Sequence, residues 1–123
     1  MIPLLVGGLI GLGVAAIVSC WDDILEWLSD FLPKVANFIR EIGRRIGPMA
    51  EYVTEMMGEL LDKASTAIKH YLYYKQNGQW VEEITTRTLP ESELPERIKR
   101  KLRKMRQEED ITDEIEMETG LTV

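Results

Sequence analysis

Hydrophobic positions divide this chain into stretches of different period. From Ile2 to Cys20 there is no charged residue, and Gly7, Gly11, Ala15 and Ser19 recur at every fourth position of that run. At about 1.5 Å per residue, a helix of roughly 19 residues reaches about 28 Å, close to the hydrocarbon thickness of a bilayer. The spacing therefore predicts a transmembrane helix over 1–20. Small residues one helical turn apart let helix backbones approach closely in lipid. Gly7, Gly8, Gly11, Ala15 and Ser19 are accordingly the candidate oligomerisation residues, with Gly8, Leu12 and Ala16 forming a second row.

After the span, Trp21, Ile24, Leu25, Leu28, Phe31 and Leu32 repeat at steps of three and four, while Asp22, Asp23, Glu26 and Asp30 take the other side. This predicts an amphipathic helix continuous with the membrane segment, in which Trp21, Trp27 and Phe31 are candidate interface anchors. Pro33 predicts a kink or break near Leu32. The pattern resumes at Val35, Phe38, Ile39, Ile42 and Ile46, and Gly47-Pro48 reads as a stop and restart. From Met49 to Tyr74, the positions Val53, Met57, Leu60, Ala64, Ala67, Tyr71 and Tyr74 alternate steps of four and three, as in a helix packed against a neighbour. Residues 21–75 are thus expected to form an amphipathic helical hairpin.

The pattern then changes. Asn77-Gly78 is followed by Trp80 to Leu89, a run rich in β-branched and aromatic residues. Two readings are open: a β-hairpin turning at Asn-Gly, or a helix capped there and followed by a lone strand. The connector Leu89 to Pro95 leads to a helix from Glu96 to Gln107 with the apolar stripe Ile98, Leu102 and Met105. Ile111 and Ile115 suggest one further short helix, ended by Gly120. The resulting expectation is a mainly α fold in four parts. These are a single N-terminal transmembrane helix (1–20), the helical hairpin (21–75), a short β-hairpin or strand with its connector (76–95), and a basic helix with an acidic tail (96–123).

Composition sharpens this picture only in places. The 123 residues carry a formal net charge of −6, unevenly spread: residues 1–70 sum to −3, 71–106 to +4 and 107–123 to −7. The overall sign argues against a general nucleic-acid binder. Arg97, Lys99, Arg100, Lys101, Arg103, Lys104 and Arg106 are candidates for charge-mediated contacts with phosphates or with the acids that follow them, and the matching number of acids favours the second. The basic residues after the span place the C-terminal region in the cytoplasm by the positive-inside rule.

With one cysteine, Cys20, and one histidine, His70, neither a disulfide framework nor a structural zinc site is expected. Ile17-Val18-Ser19-Cys20 resembles a bacterial lipobox, but the lack of a basic n-region and the bulky Trp21 weaken the match.

Catalytic signals are weak. His70 sits among apolar and aromatic neighbours, and Glu82-Glu83 on a strand would point to opposite faces. The expectation is therefore a non-enzymatic, cofactor-free and metal-free single-pass membrane protein. Its partners would be membrane lipid and copies of itself, assembled as a pore or permeabilising effector. The alternative is a membrane-anchored adaptor that docks a protein partner through its C-terminal region.

Overall fold

The computed structural model describes residues 16–46, 51–61, 64–76, 78–105 and 107–123. In chain order the elements are β1 (Ala16–Ile17), α1 (Trp21–Ile46), β2 (Tyr52–Leu61), β3 (Ser65–Gln76), β4 (Gln79–Pro90), α2 (Glu96–Met105), β5 (Glu109–Asp110) and α3 (Thr112–Thr119). The five strands form one sheet in the order β1-β4-β3-β2-β5. β2, β3 and β4 make an antiparallel meander, β5 adds antiparallel to β2, and β1 adds parallel to β4.

The expected transmembrane helix over 1–20 is corrected by what residues 16–20 do. Ala16 and Ile17 pair with Arg87 and Thr88, and the Val18 amide donates to the Thr88 carbonyl at 2.8 Å. The Asp23 carboxylate then accepts from the backbone amides of Ser19 and Cys20, at 3.0 and 3.4 Å, and so caps the first turn of α1. A strand and a capped bend therefore separate α1 from residues 1–15, which lie outside the described residues. Among the described residues no helix is long and apolar enough to cross a membrane. The single-pass reading, with its cytoplasmic C-terminal region, is corrected on this ground, and the five-stranded sheet corrects the mainly α, helical-bundle reading.

α1 runs unbroken through Pro33. Proline removes the donor that would meet the Ser29 carbonyl, but Ser29 and Pro33 both lie on the exposed side of the helix, where water can replace the lost bond. The opposite side carries Ile24, Trp27, Leu28, Leu32 and Val35 into the core.

The expected helix from Met49 to Tyr74 is instead the hairpin β2–β3. Cross-strand partners share a face, so Met56, Gly58, Ile68, His70 and Leu72 lie on the same side as Thr85, Arg87 and Leu89. All three helices cover this inner face. Ile24, Leu28 and Leu32 of α1, Ile98 and Leu102 of α2, and Ile111 and Ile115 form one core with Met56, Ile68 and Leu89. A second cluster joins Val35 to Leu72, Tyr74 and Val81. Gly58 makes the C-terminal part of this packing feasible: a Cβ there would stand 3.0 Å from Ile111 Cδ1 and 3.1 Å from Leu102 Cδ2. The β3–β4 connection is the two-residue link 77–78, closed by the pair Gln76 and Gln79, with Gly78 at φ +77°. Gly120, in the left-handed conformation, ends α3.

Candidate functional site

Between α1 and the inner face of β3 and β4 lies a recess of about 230 Å³. Its roof is a single helical stripe, Phe31, Lys34, Val35 and Phe38, at steps of three, one and three. Its floor is His70 and Leu72 on β3 with Glu83 and Thr85 on β4. Register brings these four together: His70 stands opposite Thr85 and Leu72 opposite Glu83, so the polar pair His70 and Glu83 sits on one diagonal. The Phe31 ring meets the His70 imidazole edge-on, at 5.1 Å and 80°. Phe38 makes a similar contact with Tyr74 at 5.3 Å.

The electrostatics of the floor are set by burial. His70 is only 1% exposed, and its Nε2 has no hydrogen-bond partner. Burial disfavours the imidazolium and pulls the His70 pKa down to about 4, so the ring is neutral at physiological pH. Burial also raises the Glu83 carboxyl above its ordinary range. The floor thus offers a neutral imidazole and a carboxyl whose charged form burial disfavours, under a roof of Phe31, Val35 and Phe38 together with Lys34. The apolar part of the lining and the uncharged imidazole suit a mainly apolar group with hydrogen-bonding capacity.

Comparison with known protein families, curated proteins and solved structures returns no match.

A second, more open recess of about 420 Å³ adjoins the first through Phe31 and Lys34. Asp23, Glu26 and Asp30 line it along α1, and the Arg87 guanidinium lies 4.8 Å from the centroid of the Trp27 ring.

The residues singled out in the sequence fall elsewhere. Gly7, Gly8, Gly11 and Ala15 lie outside the described residues, while Ser19 is exposed in the bend before α1. Of the expected interface anchors, Trp27 of α1 is buried in the core beneath the helices, and Trp21 and Phe31 of the same helix pack against that core. The basic helix keeps most of its charges at home: Arg97 pairs with Glu118 at 3.2 Å, Lys101 with Glu114 at 2.9 Å, Arg103 with Glu91 at 3.2 Å and Lys99 with Glu96 at 3.9 Å. Arg100 and Lys104 are exposed and take part in no ion pair among the described residues, and Arg106 lies outside them.

Sequence reasoning missed Glu83, Thr85, Phe38 and Lys34 as site residues. A period-two reading of 66–74 would have placed His70 on the same face as Ile68 and Leu72, and that was the signal to find.

Proposed function

We propose that the protein is a ligand-binding module whose site is the recess beneath α1. The ligand would be a compact, mainly apolar molecule with one uncharged hydrogen-bonding group. Its body would lie against Phe31, Val35, Phe38 and Leu72, and its polar end against His70, Glu83 and Thr85. The observation that carries this reading is the buried Nε2 of His70, left without a partner beside a recess large enough for a small molecule. An unpaired buried polar atom costs roughly 1–3 kcal/mol, and a ligand that pairs it recovers part of that cost. Enzymatic turnover is not part of the proposal, in keeping with the weak catalytic signals in the sequence.

A screen of small neutral fragments by protein-observed NMR, with the His70 imidazole as the reporter, tests it. Binding fragments should shift the His70 ring signals, and Thr85→Trp, which fills the recess, should weaken them more than tenfold. A folded protein whose His70 signals respond to no fragment, or equal binding by Thr85→Trp, would overturn the proposal.

A further inference from the structure

The sheet has a second face, which none of the three helices covers. Register places Val53, Glu55, Met57 and Glu59 of β2 there, with Lys69, Tyr71 and Tyr73 of β3 and Glu82 and Ile84 of β4. Asp110 joins them through its pairing with Met57. Glu108, just before β5, reaches across β2 and accepts from Lys69 Nζ at 2.8 Å and from the Tyr71 hydroxyl at 2.8 and 2.9 Å. Lys69 also pairs with Glu59 at 3.3 Å. That lysine is therefore engaged by two carboxylates, and Glu55, Glu82 and Asp110 remain with no ion-pair partner among the described residues.

The acids on this face are crowded. Burial first, then repulsion from Asp110 and Glu108, raises the Glu55 carboxyl above its ordinary range. Beside them stand the half-buried rings of Tyr71 and Tyr73, 5.8 Å apart, and Val53, which is 48% exposed. An acidic surface with aromatic and aliphatic footing suits long basic side chains, whose stems cover apolar area while their heads meet carboxylates.

Such side chains are present on the other side of the same molecule. α2 buries Ile98 and Leu102 toward the inner face and turns Arg97, Arg100, Arg103 and Lys104 to solvent. Arg100 and Lys104 lie one helical turn apart and have no partner of their own among the described residues, so a docked carboxylate would replace water alone and break no internal ion pair. The two surfaces are opposite in sign, and they face away from each other across the helix layer and the sheet.

We propose that the outer face of the sheet docks the basic face of α2 from a second copy of this chain, head to tail. The two patches differ, so the contact is heterologous: each copy donates one surface and accepts with the other, and assembly runs on into rings or open fibres rather than stopping at a two-fold dimer. This inference goes beyond the recess and does not depend on it.

Sedimentation velocity of the full chain, at concentrations up to about 1 mM and at low salt, reads the association directly. Wild type should grow in mean size with concentration and return to monomer at about 1 M salt, where the screening length falls to about 3 Å. Arg100→Glu/Lys104→Glu should be monomeric with unchanged circular dichroism. Glu55→Lys/Glu82→Lys should be monomeric as well. The chain carrying all four substitutions should associate again, because the complementarity is restored with its sign reversed. Wild type that remains monomeric throughout would overturn the proposal. So would assembly that either pair of substitutions leaves intact, or a four-fold variant that stays monomeric while folded.

Discussion

The two faces of one sheet are built from alternate residues of the same three strands, and they meet different surroundings. On β3 the even positions from Thr66 to Tyr74 are buried under the helices, while Lys69, Tyr71 and Tyr73, one step away in sequence, stay part-exposed on the other side. The inner face gains stability from apolar area removed from water, at roughly 25 cal/mol per Å². The outer face holds itself by hydrogen bonds and ion pairs that water and salt can reach, each worth far less. A one-residue step along a strand thus separates fold from surface chemistry.

Truncation on each side should break this comparison most sharply. Ile68, fully buried beneath the helices, should lose about 3–4 kcal/mol on substitution by Ala. Ile84→Ala, on the outer face opposite Tyr71, should cost less than half as much. Paired denaturant melts measure both, and equal losses would mean that the outer face is buried in the working molecule.

Acid comes next in size. His70 holds its proton less tightly when folded, with a pKa of about 4 against an ordinary 6.5, so the unfolded chain binds more protons between those values. Stability should therefore fall as pH drops from about 6.5 toward 4, by up to about 3 kcal/mol from this residue. Glu83 acts in the opposite sense, because its raised carboxyl favours the folded state when protonated and loses that contribution as pH rises. In His70→Leu the downward slope below about pH 6.5 should flatten, as read by melts at stepped pH. An unchanged slope would assign the effect to other groups.

The smallest effect belongs to the outer face. Glu108→Ala removes the acceptor shared by Lys69 and Tyr71 and should cost about 1–2 kcal/mol, with a loss that shrinks in high salt. A salt-independent loss would point to packing in the β5 segment instead of charge.

Parts of this architecture can be read in the sequence, for identifiable reasons. The stripe Ile24, Leu28 and Leu32 set against Asp22, Glu26 and Asp30 marks a one-sided helix, and α1 buries that stripe. Ile98 and Leu102 do the same for α2. The hairpin β2–β3 was hidden because both of its faces carry apolar residues. Met57, Tyr71 and Val53 on the outer side mix with Met56, Ile68 and Leu72 on the inner, and the union mimics steps of three and four. Thr66 and His70, polar residues on the buried side, blur the period-two signal further. The segment before α1 misled for another reason: apolar composition at Ala16 and Ile17 does not separate a helix from a short edge strand, and only their pairing with Arg87 and Thr88 of β4 distinguishes them. The recess was not legible at all, since Phe31, His70 and Glu83 meet only after a strand register and a helix position are both fixed.

The placement of the two shortest strands has a kinetic consequence. The meander β2-β3-β4 closes through local turns, whereas β1 must find Arg87 and Thr88 across some seventy residues of chain, and β5 must return to Met57 and Gly58 from beyond α2. Loop-closure entropy and contact order make such distant pairings late to form and early to open. The rims of the sheet are therefore set by its slowest contacts. Amide exchange at Val18 and Ile111, whose protons close those rims, would report the first openings of the folded chain.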